Sequence, residues 1–71
     1  MNQTEIVFLV EEAEEGGFNA RAINQSIFTE ADDMEALKRN VRDAVVCHFP
    51  DPQQRPKMIR LHWVRDEVIT A

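Results

Sequence analysis

The residues with the greatest potential for chemistry are one cysteine and two histidines, Cys47, His48 and His62. A metal site needs three or four converging ligands, and adjacent helical positions point about 100° apart, so Cys47 and His48 make a poor chelating pair. A nucleophilic cysteine is favoured near a helix N-terminus, whereas Cys47 falls near the C-terminal end of a predicted helix. We therefore expect no metal, no cofactor and no catalytic residue. Cys47 is predicted to be a small apolar residue, His48 to close the helix, and His62 to lie at the surface or in a subunit contact.

Four glutamates crowd one short stretch of the sequence: Glu11, Glu12, Glu14 and Glu15. A calcium loop requires oxygen ligands at a fixed spacing with a closing carboxylate, and the sequence has no EF-hand pattern. Paired carboxylates could perform acid-base catalysis, but no nucleophile, base and orienting group occur at a recognisable spacing. We expect a solvated turn here, and we expect the chain not to be an enzyme.

Four basic residues lie close to Trp63 in the C-terminal segment: Arg55, Lys57, Arg60 and Arg65. Basic and aromatic side chains interleaved on a strand can hold single-stranded nucleic acid by phosphate contacts and stacking. The net charge of -5 opposes this interpretation. Trp63 also shares one side of its strand with Ile59 and Leu61, which predicts burial. RNA binding through this segment is the alternative function, and DNA binding is not expected.

The clearest periodic signal runs from Asp32 to His48 and predicts an amphipathic helix. Apolar or helix-closing residues recur on one side at steps of three and four: Met34, Leu37, Val41, Ala44, Val45 and His48. Asp32 or Asp33 would cap the N-terminus, and with Asp32 as the N-cap, Glu35 would complete a capping box. Pro50 ends the helix and opens a polar, proline-rich loop.

The remaining segments predict four strands: Glu5 to Glu12, Phe18 to Gln25, Ser26 to Glu30 and Lys57 to Val64. The first is apolar on both alternating sides, which is typical of an interior strand covered on both faces. Gly16 and Gly17 suit the hairpin that follows it. The fold class is therefore α+β in the order β-β-β-α-β, a small antiparallel sheet with one helix packed on one face. We expect a single domain over residues 1–71.

A chain of 71 residues buries only about 60% of its unfolded surface, so support from another chain is expected. One helix covers one sheet face, and the other face should hold an apolar patch. We predict a homo-oligomer, a dimer or higher, with Val68 and Ile69 either extending the last strand or docking on a neighbouring chain.

A single cysteine and the lack of a signal peptide or membrane span favour the cytoplasm.

Charge is unevenly spread along the chain. Residues 1–33 carry eight acidic side chains against one basic side chain, Arg21, whereas residues 52–71 are basic on balance. This asymmetry suits subunit contacts and a basic partner for the acidic half, although a solvated surface explains it equally well.

Nearly the whole chain resembles the N-terminal domain of HicB-like antitoxins. The resemblance is carried by Gly16-Gly17-Phe18 at an acidic hairpin, by Thr29, and by the helix with Asn40 and Asp43-Ala44-Val45. Residues 58–68 are similar to the closing segment of short stand-alone members.

The resemblance implies a partly degraded double-stranded-RNA-binding-like or RNase H-like fold, often oligomeric. In toxin-antitoxin systems such a domain covers the catalytic surface of a small RNA-cleaving toxin, and an acidic antitoxin suits a basic RNase. Full antitoxins append a DNA-binding domain, and no such domain is seen before Ala71, so operator binding is not expected. The function implied is a non-enzymatic protein-interaction module, an antitoxin of a type II system. The alternative is a stand-alone oligomer that binds RNA or a small ligand through the C-terminal strand.

Overall fold

Four strands and one helix make up the protein in a computed structural model, which describes residues 4–71. The elements in chain order are β1 (Glu5–Glu12), β2 (Phe18–Ala22), β3 (Phe28–Ala31), α1 (Met34–His48) and β4 (Met58–Trp63). The predicted α+β class and the order β-β-β-α-β are confirmed. The bounds of β1 are those that the sequence predicts, because its run of β-branched and aromatic residues is unbroken.

The ends of the other strands differ from the prediction. Strand β2 stops at Ala22 rather than Gln25, and β3 begins at Phe28 rather than Ser26. The amide of Ala22 donates to the carbonyl of Ile27 at 3.0 Å. This hydrogen bond closes the intervening residues into a turn, so alternating side chains there do not extend either strand.

The helix is capped by Asp33 and not by Asp32. The side chain of Asp33 accepts a hydrogen bond from the amide of Ala36 at 2.8 Å, and its carbonyl accepts the first helical bond, from Leu37. The third helical position is thus occupied by Ala36, so the predicted capping box with Glu35 does not form. At the other end the chain leaves the helix after His48, as Pro50 predicts.

The sheet is mixed rather than wholly antiparallel. Its strand order is β3-β2-β1-β4, and β4 runs parallel to β1. The helical crossover explains this direction, because a strand that returns through a helix from one edge to the other joins the sheet in parallel. Ile59 lies beside Ile6 and Leu61 beside Phe8, so the apolar side of β4 faces the same way as the core of β1.

The core lies on one face of the sheet, beneath α1. Its buried residues come from the strands, the β2–β3 turn and the helix: Ile6, Phe8, Val10, Ala20, Ala22, Ile27, Leu37, Val41 and Val45. The helix packs chiefly on β2 and β3, which leaves the helix side of β4 half-covered. Strand β1 is interior in the sheet as expected, but only one of its faces is covered, since Val7 and Leu9 are half-buried. Within residues 4–71, no helix has the length and apolar character needed to cross a membrane.

Candidate protein-interaction surface

The hairpin between β1 and β2 is shaped by two glycines with positive φ, Gly16 at 104° and Gly17 at 81°. The amide of Ala13 donates to the carbonyl of Gly17, and the amide of Gly16 donates to the carbonyl of Ala13. A Cβ on Gly17 would lie 2.6 Å from the carbonyl oxygen of Ala31. The hairpin therefore sits directly against the junction between β3 and α1, and only glycine permits that approach.

This approach brings two acidic stretches that are separate in sequence to one end of the sheet, where Asp66 of the C-terminal segment lies with them. We call the result the acidic end; its eight exposed carboxylate residues are Glu11, Glu12, Glu14, Glu15, Glu30, Asp32, Asp33 and Asp66. They surround an open concavity that the half-buried Phe18 also lines. Of the residues that line it, none is basic. The four hairpin glutamates are exposed to solvent, as predicted, but only Glu14 and Glu15 lie in the turn, because Glu11 and Glu12 end β1.

Two contacts tie the acidic end to the rest of the fold. The side-chain amide of Asn40 donates to the carbonyl of Glu30 at 3.1 Å, so it links α1 to β3. Arg21 lies 3.9 Å from Glu11 on the sheet face opposite the helix, and both side chains are about half exposed or more. An ion pair this exposed contributes little to stability. The acidic end is therefore held by backbone and helix contacts, while its carboxylates face water.

The face of the sheet opposite α1, here called the open face, carries the expected apolar side chains. Ile23 is 58% exposed, Phe28 62% and Met58 58%. Their register places them beside Val7, Arg21 and Glu5, respectively. Charged groups are interspersed among them, so the open face is an amphipathic surface rather than a continuous apolar one.

The basic and aromatic residues of the C-terminal segment do not gather on one surface. The guanidinium of Arg55 donates to the carbonyls of Phe49 and Pro50, so it binds the chain that leaves the helix. Arg60 lies on the open face, whereas Trp63 lies on the helix side, with its ring edge-on to Phe18 at a centroid distance of 5.4 Å. Strand alternation separates them.

Trp63 is also 49% exposed, so the prediction that it is buried is wrong. It stands at the end of β4, beyond the reach of α1, where Phe18 covers only one of its sides. An aromatic ring at the margin of a partly covered sheet keeps a substantial exposed area even when its strand neighbours are half-buried.

The thiol and the imidazoles are distributed over different parts of the fold. Cys47 lies near the C-terminal end of α1, as predicted, and is exposed. His48 lies in the last turn of α1, as expected, and its Nε2 is 3.1 Å from Oε1 of Gln25. His62 is exposed on the open face, so the sheet stands between it and the helix. Within the described chain, no three His, Cys, Asp or Glu side chains are grouped to hold a metal ion.

These features define a small α+β domain with a four-stranded mixed sheet, one covering helix and a strongly acidic end. A UPF0150 protein of Thermotoga maritima is 40% identical over 69 residues, which is 97% of this chain and 96% of that protein. A UPF0150 protein of Archaeoglobus fulgidus is 51% identical over 53 residues, covering 75% of this chain and 77% of the relative. The chain therefore belongs to the UPF0150 family.

No protein-family model and no solved structure matches the chain. Both relatives carry only the family name. The HicB-like antitoxin resemblance consequently stays a prediction.

Proposed function

We propose that this chain is a cytoplasmic, non-enzymatic interaction module whose acidic end docks a basic protein. The observation that carries the proposal is the gathering of eight exposed carboxylates around one concavity that no basic side chain lines. The negative electrostatic potential of these carboxylates accelerates encounter with a positively charged protein surface and disfavours the binding of acidic proteins. The half-buried Phe18, which lines the same concavity, supplies an apolar contact for a specific interface.

The class of partner follows from the HicB-like resemblance. A small RNA-cleaving toxin must present a basic surface to its RNA substrate, and that surface is complementary to the acidic end. Occupation of the toxin's RNA-binding surface would block its substrate. We therefore propose that the chain acts as the antitoxin of a type II toxin-antitoxin system.

The absence of an enzymatic role is part of the same proposal. Among the residues described, no polar or charged side chain is buried. Cys47 and His62 are exposed on different elements. An active site usually desolvates at least one reacting group, and the described surfaces offer no such position.

We also propose that the chain self-associates. The described residues include large apolar side chains that the fold leaves in water, among them Phe28 at 62% and Val68 at 93% exposure. Their burial against a second chain would add to the limited core that a domain of this size can build.

The test of the antitoxin proposal begins with the small basic proteins encoded beside this chain. Each is co-expressed with the full chain, and complex formation is measured by size-exclusion chromatography with light scattering and by calorimetry at several salt concentrations. We expect one such protein to bind, to cleave RNA when alone, and to lose that activity in the complex. Binding should weaken steeply with salt.

Two double variants with the same change in net charge locate the contact. Glu14→Lys with Glu15→Lys reverses the hairpin tip, whereas Glu35→Lys with Asp43→Lys reverses two exposed carboxylates on α1, outside the acidic end. We expect the first pair to raise the dissociation constant at least about tenfold and the second to change it by less than about threefold. Equal effects of both pairs, or no basic partner among the neighbouring gene products, would contradict the proposal.

A further inference from the structure

The last eight residues of the sequence, 64–71, follow β4; we call them the C-terminal arm. The amide of Val64 donates to the carbonyl of Val10 at 2.9 Å, and the arm forms no helix or strand after that point. Val64, Arg65 and Asp66 lie beside the β1–β2 hairpin, and Val68 and Ile69 beyond them are almost fully exposed.

The arm carries large apolar side chains that are suited to burial in a contact. Val68 is 93% exposed and Ile69 83%, the two highest exposures among the large apolar residues described. Two carboxylates, Asp66 and Glu67, immediately precede them. Arg65, Asp66 and Glu67 together give the arm one net negative side-chain charge, and the two β-branched apolar side chains that follow them favour extended backbone.

A groove of complementary chemistry runs between α1 and β4. Its floor is apolar, from Val41, Ile59 and Leu61, and its rim is basic, from Lys38, Arg42 and Lys57. It exists because the helix covers β2 and β3 and leaves the helix side of β4 half-covered. Its volume of about 470 Å³ lies within the roughly 300–1,000 Å³ of ligand pockets.

The strand beside the groove is also free to accept a backbone. Strand β4 is at the edge of the sheet, with β1 on one side and no strand on the other. Exposed edge strands are the sites where an extended segment adds by main-chain hydrogen bonds, while alternate side chains enter pockets on either face. An arm added there would place one of its two apolar side chains over Ile59 and Leu61.

The arm that fills the groove belongs to a second copy and not to the same chain. To reach its own β4 the arm would have to reverse direction directly after Trp63, and Val64 and Arg65, which stand at that point, are not turn-forming residues. The hydrogen bond from Val64 to Val10 instead carries the chain straight on along β1. We propose that the C-terminal arm of one copy adds along β4 of a second copy, so that one of Val68 and Ile69 covers the groove and the carboxylate two residues before it faces the basic rim.

This inference rests on the proposed self-association and names its surface; it does not depend on a basic partner. Reciprocal exchange of two arms closes a twofold dimer, in which each groove and each arm is used once. The dimer buries the most exposed apolar residues of the described chain, and of the acidic end it uses at most Asp66.

Sedimentation equilibrium of the full chain provides the test. We expect the wild type to sediment at about twice its 8.2 kDa at micromolar concentration. Val68→Asp with Ile69→Asp should raise the dimer dissociation constant at least about tenfold. These side chains contribute almost nothing to the isolated fold, so circular dichroism should be unchanged. The matched pair Ile23→Asp with Phe28→Asp, on the open face, should leave the dimer intact.

Reversal of the charges on the groove rim and on the arm provides a stricter test of arm exchange. Lys38→Glu with Arg42→Glu reverses the rim, and Asp66→Lys with Glu67→Lys reverses the arm; each pair alone should weaken the dimer, and all four together should restore it. A monomeric wild type would overturn both self-association and arm exchange. A dimer that survives the arm variants, or that is lost in the open-face pair instead, would overturn arm exchange and leave self-association standing. If the fourfold variant lost dimer affinity by the sum of the losses of the two pairs, that result would also contradict the proposed ion pairing between the arm and the rim.

Discussion

Arg60 on β4 forms two hydrogen bonds with the carboxylate of Glu5 on β1, from Nε to Oε1 and from Nη2 to Oε2. The two residues are 55 positions apart in sequence, and they meet diagonally on the open face because β4 runs parallel to β1. The hydrogen bond from Arg60 holds the pKa of the Glu5 carboxyl below its ordinary value of 4.5. The same contact raises the pKa of Arg60. The pair is therefore a direct reporter of the parallel strand pairing.

Replacement of Arg60 by glutamine should raise the pKa of Glu5 toward its ordinary value. Because the pKa of Glu5 is depressed in the folded state, the contribution of the pair to stability is present above the unfolded pKa and is lost as pH falls through the folded one. The contribution is small since both groups are exposed to solvent. A side-chain carboxyl NMR titration measures the effect, with Arg21→Gln as the control that leaves Glu5 unchanged. Identical titration of Glu5 in the wild type and Arg60→Gln would refute the contact.

Gly17 and Gly16 both have positive φ, yet only Gly17 is closely packed. Alanine at Gly16 meets no atom within 4 Å, so its cost is the backbone term of about 1–2 kcal/mol. Alanine at Gly17 adds the clash with the carbonyl of Ala31, and we expect the free energy of unfolding to fall by at least about 1 kcal/mol more. Urea denaturation measures both variants. Equal losses would show that the hairpin does not press against the β3–α1 junction.

Asp33 and Asp32 are neighbours with different roles at the start of α1. Asp33→Ala removes the bond to the amide of Ala36, and loss of such a cap costs about 1 kcal/mol. Asp32→Ala removes an exposed side chain with no capping role and should change the free energy of unfolding by less than about 0.5 kcal/mol. Thermal or urea unfolding distinguishes the two. The reverse order of effects would place the helix start one residue earlier.

Arg55 has a role that its place in the sequence does not predict. The sequence groups it with the basic residues around Trp63, but its guanidinium binds two carbonyls of the chain after α1. Sequence periodicity predicts which side of a strand a residue occupies. It does not predict whether a loop cation folds back on its own backbone, because that depends on where a proline-rich loop lies in space.

The C-terminal arm and the groove are a second case in which sequence periodicity does not predict the arrangement in space. The sequence indicated that Val68 and Ile69 would either extend a strand or dock on another chain. The position of α1 over β2 and β3 was needed to reveal the half-covered side of β4 and its basic rim. That position is decided by packing between residues far apart in the chain, which no local pattern records.

The sequence by itself determined the α+β class, the order of elements, the bounds of β1, the extent of the helix and the glycines of the hairpin. These features follow from local periodicity and backbone preference, which act over a few neighbouring residues. Only the tertiary structure decided that β4 runs parallel to β1, that Asp33 is the cap, and that two acidic stretches meet at one end. The physical reason is that strand pairing and helix placement depend on the burial of distant side chains together, so their geometry is a property of the whole fold.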